Sequence, residues 1–235
     1  MSRGDVRRAL IADSAIAVLA AGGARALTHK AVDARAGLSA GSASYHFRTR
    51  KALITAAVER IRVLSREAFD AAARGAGAAA AVPPASAADE AAALAADQLL
   101  RLAGERREQA LAVFALLPEA AEDCELRSAL LRCLFSRELA GDLMARLGSR
   151  APEADAAGFI DFLTGMLVRL LYAPAPGGLL SCGSEAGTSA SGTRGSAAEP
   201  GSSAAEGVTP ASGAHPEIEG ALVRFLTTFP RQPSP

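Results

Sequence analysis

THKAVDARAGLSAGSASYHFRTRKAL, residues 28–53, crowds three kinds of residue into a short space. Small residues and serines come first, then Tyr45-His46-Phe47, then the cations Arg48, Arg50 and Lys51. Thr28 is a good N-cap for a short helix running to Ala36, and Gly37 suits a left-handed residue beyond it. Ser39 reads as a second N-cap, opening a helix of about two turns to His46. Thr49 caps a third start, and the spacing of Leu53, Ile54, Ala57, Ile61 and Leu64 predicts a long helix from Lys51 to about Phe69. Two short helices joined by a tight glycine-containing turn form a helix-turn-helix pattern.

A helix over Ala40–His46 has the composition of a groove reader. Ser39, Ser42 and Ser44 can donate to phosphates or base edges, and Tyr45 and His46 can reach phosphate oxygens at the helix end. A glycine inside a helix costs about 1 kcal/mol relative to alanine; close approach of a phosphate at Gly41 would account for it. Arg48, Arg50 and Lys51 stand at a helix start, which itself attracts phosphate. Thr28 offers the same for the preceding helix, with Lys30 beside it. A plain structural account also exists: Leu38, Phe47 and Leu53 as core, Gly37 and Gly41 as close helix crossing, and Tyr45 as half-buried packing.

Charge bears on the two accounts and fits either a head that meets a polyanion or a plainly solvated basic face. Residues 1–66 hold 12 Lys/Arg against 4 Asp/Glu, a balance of +8, and the rest of the chain holds 13 against 21, a balance of −8, within a net charge of zero. A basic head on an acidic body suits a polyanion. Upstream, Val6, Leu10, Ile11, Val18 and Leu19 recur at helical intervals over residues 6–21, and Gly22-Gly23 ends the run. Arg3, Arg7 and Arg8 read as a basic arm that lies along the backbone or in a minor groove.

Downstream, residues 74–90 read as a connection broken by Pro83-Pro84. Helical patterns follow at about 88–104, 107–122, 125–147 and 153–173. Residues 174–215 are Gly, Ser, Ala, Pro and Thr with almost no large apolar side chain, a composition expected to be disordered. Pro216–Phe229 returns as an amphipathic helix with Ile218, Leu222, Phe225 and Leu226 on one side, which must dock on its own body or on a second chain.

Half the residues are hydrophobic and none is Trp, so a large core must be built from Leu, Ala, Val and a few Phe. The cysteines Cys124, Cys133 and Cys182 have unrelated spacings, which reads as reduced thiols in a cytoplasmic protein. No signal-peptide cleavage site follows the charged start, and apolar runs such as Ile160–Leu171 are too short and too interrupted for a bilayer, so no membrane partner is expected. There is no nucleophile–base constellation, metal-ligand spacing or phosphate loop. His29, His46 and His215 fall at a cap, a helix end and the low-complexity stretch. Neither catalysis nor a cofactor or metal is expected.

LIADSAIAVLAAGG (10–23), THKAVDARAGLS (28–39), SAGSASYHF (39–47) and TRKAL (49–53) together resemble the N-terminal DNA-binding domain of the TetR/AcrR transcriptional regulators. The resemblance covers roughly a quarter of the chain, from Leu10 to about Glu59. It implies an all-α fold: a helix-turn-helix head of three helices (1–50), a long connecting helix (51–73) and a larger helical effector-binding and dimerisation body (74–173). The low-complexity loop (174–215) and a C-terminal dimerisation helix with its tail (216–235) complete it. Family members are typically homodimers, and most are repressors released by a small ligand. Ser39, Gly41, Ser42, Tyr45 and His46 fall where members commonly touch DNA, and Arg50 takes the place of a common phosphate-binding lysine. Three positions depart from the pattern. Ser44 stands where the first of two tyrosines is frequent, Asp33 where a small alanine is usual, and His29 where an apolar residue is common. Ala40, Ser42 and Ala43 offer little bidentate readout, so thymine methyls, water and DNA shape would carry much of the specificity.

In the body, Phe114, Leu117, Cys133, Met144, Phe162 and Met166 are candidates for lining an effector pocket, and the scarcity of ionisable inward positions favours an apolar effector. By family analogy the last two helices of each protomer pair into a four-helix bundle. The expectation is a homodimer on a palindromic double-stranded operator, a repressor released by a small apolar effector. The rival is a helix-turn-helix scaffold that serves as a protein-interaction module without specific DNA binding.

Overall fold

The structure, a computed structural model, describes residues 2–75, 86–172 and 215–228. Most of the 74–90 connection, the low-complexity stretch up to residue 214, Cys182 and the tail beyond residue 228 lie outside the described residues. Among the described residues the fold is all-α, with ten α-helices, one 3-10 turn and no strand.

The head is built from α1 (Arg3–Ala26), α2 (His29–Arg35), α3 (Ser42–His46) and the start of α4 (Arg50–Gly75). Helix α1 starts at Arg3, earlier than the periodicity indicates, because Ser2 and Asp5 form a reciprocal capping box. Arg3, Arg7 and Arg8 therefore project from a helix rather than from an extended arm. Val6 and Leu10 are exposed, since this end of α1 runs past the head core, whereas Ile11, Ala15, Ile16 and Leu19 are buried in it. Gly23, at φ 72° and ψ −176°, breaks the helix where Gly22-Gly23 marks its end in the sequence. By composition and length α1 is apolar enough to cross a bilayer, unlike runs such as Ile160–Leu171, but its Ile11, Ala15, Ile16 and Leu19 belong to the head core. Asp13 on α1 takes both Nε and Nη2 of Arg60 on α4, at 2.7 and 3.2 Å, and this hydrogen bond raises the Arg60 pKa.

The body comprises α5 (Ala87–Ala103), α6 (Arg107–Leu116), α7 (Cys124–Arg132), α8 (Arg137–Arg146), α9 (Pro152–Tyr172) and α10 (His215–Leu226). A 3-10 turn at Pro118–Ala120 ends the α6 region earlier than the predicted 107–122, because Pro118 cannot continue the helical hydrogen bonding. The single helix predicted over 125–147 is two. The chain turns at Cys133–Phe135, and Ser136 caps a fresh start by accepting from the Leu139 N–H at 3.2 Å. Carbonyls freed by that break are satisfied from distant helices: Ser65 Oγ donates to the Cys133 carbonyl (2.7 Å) and Gln98 Nε2 to that of Leu134 (3.1 Å). Helix α10 docks on its own body. Ile218, Leu222 and Leu226 are buried, the helix packs on α5, and Phe225 stacks on Phe162 of α9 with ring centroids 4.2 Å apart.

Head and body meet where α1 packs along α6. Beneath that contact a buried polar chain links three elements: Arg106 Nη2 donates to Ser65 Oγ on α4, which donates onward to the Cys133 carbonyl. Arg106 Nε donates to Gln109 (2.7 Å), while Nη1 has no hydrogen-bond partner among the described residues. Burial lowers the Arg106 pKa and pushes the neighbouring Cys133 thiol up to about 11.

Candidate nucleic-acid interface and body cavity

Helix α3 has only five residues, too few to be stable alone, so its neighbours must hold it. Gly41 is the residue before the helix, at φ 93°. Ser39 is therefore not the cap, and Gly41 is not inside a helix. A left-handed backbone explains the glycine without any ligand. Glycine has no side chain to cap with, and Asp33 of α2 supplies the missing acceptor. The Asp33 carboxylate, 3 % exposed, accepts from the Gly41 N–H (2.8 Å) and the Ala43 N–H (2.7 Å). At the other end, His29 Nε2 lies 2.6 Å from the Phe47 carbonyl oxygen, so Nε2 carries the donated proton. The two residues that depart from the family pattern on α2 thus clamp both ends of α3. Ala43, fully buried, sets its inner face.

The outward residues follow from that clamp. Tyr45 is 82 % exposed, which removes the half-buried packing account, and its ring meets His46 edge-on at 5.2 Å. Ser39, Gly41 and Ser44 are exposed, and Ser42 and His46 are partly so. Two of the serine hydroxyls donate locally: Ser42 Oγ to the Ser39 carbonyl (2.7 Å) and Ser44 Oγ to that of Gly41 (2.9 Å). As they stand they offer acceptor lone pairs outward rather than donors. Thr28 caps α2 by accepting from the Ala31 N–H, and Lys30 is exposed in its first turn. Thr49 caps α4 by accepting from the Ala52 N–H, and Lys51 stands exposed in that first turn. Arg50 is engaged: Nη1 donates to Glu119 (2.9 Å) and Nη2 to the Ala24 carbonyl (2.8 Å). Nothing in the sequence links positions 69 residues apart, and this contact was not anticipated.

In the body, a cavity of about 380 Å³ lies between α5, α8 and α9 under Phe69 of α4. Leu94, Phe135, Leu139, Leu143, Phe159, Ile160 and Leu163 form most of its wall, with Glu90, Gln98, Arg101, Ser136 and Arg146 as its polar residues. Arg101 is paired with Asp97, and its Nε is buried without an acceptor among the described residues. None of the six sequence candidates lines this cavity. Met144 and Cys133 are core, the thiol donating to the Ala129 carbonyl, and Phe162 is taken by the stack on Phe225. Phe114, Leu117 and Met166 are partly buried against the core elsewhere. The wall was missed because the cavity faces of α5 and α8 depend on the break at Ser136, which the 125–147 periodicity hid. A larger hollow of about 670 Å³ on the head, between α1 and α4, is bordered by Arg8, Phe47 and Lys51.

The family model for the tetracyclin repressor-like C-terminal domain matches residues 86–186. A TetR-family member from Streptomyces coelicolor A3 is 25 % identical and superposes with a TM-score of 0.53, over 72 % of this chain and 90 % of its own. Residues 86–186 are thus a TetR-type C-terminal domain, and the chain has the fold of TetR-family proteins. A TetR-family transcriptional regulator from Rhodococcus sp. shares the fold at 22 % identity and TM-score 0.51, over 71 % of this chain and 88 % of its own. Another from Mesorhizobium loti does so at 12 % identity and TM-score 0.55, over 97 % of this chain and 96 % of its own. The multidrug binding protein EbrR, seen in complex with malachite green, has this fold at 24 % identity and TM-score 0.50, over 71 % of this chain and 88 % of its own. Comparison with curated proteins finds no match. The TetR-type fold supports a transcriptional regulator, with the helix-turn-helix head at the N-terminus and a TetR-type body behind it.

Proposed function

We propose that this chain is a cytoplasmic, homodimeric, sequence-specific DNA-binding repressor of the TetR family, released by a small, largely apolar effector held in the body cavity. The observation that carries the reading is α3 itself. A helix too short to stand alone is clamped at both ends by Asp33 and His29 and turns Tyr45 outward, with Ser39, Gly41, Ser44, Thr28, Lys30 and Lys51 exposed around it. A fold has little reason to fix so firmly a short helix that carries an exposed tyrosine unless something binds there. The +8 balance of residues 1–66 favours DNA over a protein partner. Ser42, His46 and Arg50 complete the proposed phosphate and groove contacts.

Dimerisation is supported by a stripe on α9. Gly158, Asp161, Gly165, Val168 and Tyr172 recur at three- and four-residue intervals and are all exposed, and a Cβ at either glycine would meet open space. Two such faces can approach closely in a four-helix bundle. The effector reading draws support from the cavity's apolar wall, and from a protein of this fold that takes malachite green. Two α3 helices would then enter successive major grooves about 34–36 Å apart. Selection of duplexes from a random-sequence pool at about 150 mM salt tests the reading. An enriched palindrome is expected. A folded, dimeric protein that enriches nothing would transfer the proposal to the protein-interaction module.

A further inference from the structure

Arg50 opens α4 beside the proposed DNA surface, yet its guanidinium is held within the molecule. Nη2 donates to the Ala24 carbonyl at the end of α1, so one arm of the fork is anchored inside the head. Nη1 donates at 2.9 Å to Glu119, which belongs to the 3-10 turn of the body. Both side chains of that pair remain partly open to solvent, at 42 % and 37 %. A second pair, Arg35–Glu108 at 3.9 Å, also runs from the head to the α6 region. A carboxylate and a phosphate offer a guanidinium the same kind of anionic, bidentate-capable acceptor.

We infer that Glu119 is an internal competitor of the DNA phosphate for Arg50, so that the position of the body's 3-10 turn sets how much of the head's charge is available to DNA. This rests on the DNA-binding reading above and names a regulation of that surface. The Ala24 anchor makes the exchange possible: Arg50 stays positioned when Glu119 leaves, and only one arm changes partner. Any displacement of the α6 end against the head, by a ligand or a second chain, then alters DNA affinity through a charge pair as well as through head spacing.

The test uses the full-length chain and a fluorescent random-sequence duplex, because a phosphate contact carries no sequence information. Affinity is read across a salt series for wild type, Glu119→Gln, Arg50→Ala and the double variant, each checked for folding by circular dichroism. Glu119→Gln should tighten binding by about two- to fivefold. It should also steepen the salt slope by up to about 0.9, one more phosphate neutralised. In the Arg50→Ala background the Glu119 change should do nothing. Equal tightening in both backgrounds would mean that Glu119 acts only as a distant negative charge, and the competition is overturned. Binding by all variants with unchanged affinity and slope overturns it too, and leaves the DNA reading standing. No binding by any variant, even at low salt, removes both.

Discussion

Helix α3 and the body cavity are positioned by opposite means. In the head, five residues are fixed by polar groups at their two ends, with Asp33 on two backbone N–H groups and His29 on a carbonyl. In the body, ten-residue α8 leans across an apolar hollow toward α5 and α9, and its wall is mostly aliphatic and aromatic carbon. Hydrogen bonds are directional, and leaving one unmade costs more than making it gains. A polar clamp therefore fixes orientation. Apolar contact is non-directional and tolerates repacking. A surface that must meet a fixed lattice of phosphates gains from the first arrangement, and a pocket that must admit a ligand from the second.

The largest expected effect comes from removing carbon in the body. Phe159 is buried, lines the cavity and lies 6.0 Å from the Phe225 ring. Phe159→Ala should cost about 3–5 kcal/mol in urea unfolding. Well below the melting temperature, DNA affinity should stay within about twofold of wild type if head and body are separately held. Affinity that falls in step with stability, in protein that is still folded, would break the comparison.

Asp33→Ala should cost less stability and more function. Two N–H groups lose their acceptor, worth roughly 1–3 kcal/mol, and DNA affinity should drop at least tenfold as α3 loses its fixed start. Retention of full affinity would show that α3 is ordered by DNA itself. The clamp also marks what could be read from residues alone. The caps at Thr28 and Thr49, the left-handed Gly37 and the inward run Leu53, Ile54, Ala57 and Ile61 are local patterns, and the structure places them as the spacing indicates. Asp33 and His29 stood out only as departures from a family pattern. Their partners lie eight to eighteen residues away, across a turn whose shape the residues do not state. The Arg50–Glu119 pair and the Ser65 and Gln98 bonds that stabilise the break after α7 reach farther still, so periodicity ran straight through that break. The cavity was hidden for the same reason.

A smaller effect sharpens the body side of the comparison. The Cys133 thiol has an ordinary pKa of 9.0, and burial raises it to about 11 in the folded chain. The folded state thus prefers the neutral thiol. Its stabilising contribution is complete below pH 9 and is lost as pH rises toward 11. At pH 10 wild type should have lost roughly 1 kcal/mol through this group, and Cys133→Ala should lack that part of the slope. Parallel pH profiles for the two proteins would mean that water reaches the thiol and the body is looser there than its packing indicates.

The least change in stability is expected at Tyr45. Among the described residues its side chain is the most exposed of the large hydrophobic ones, and its one ring contact there is with His46. Tyr45→Phe should alter unfolding by no more than about 0.5 kcal/mol. If the hydroxyl meets a phosphate, that one atom should still cost DNA affinity about three- to tenfold, the usual net size of a single hydrogen bond. Tyr45→Ala separates the two parts of the side chain. If Phe binds as tyrosine does and Ala does not, the ring packs against sugar or a thymine methyl and the hydroxyl is idle. If both bind as wild type, the clamp on α3 presents a surface for some other partner. An exposed side chain that contributes nothing to folding reports only on what it touches, so a residue silent in stability is the sharpest probe of what the head is for.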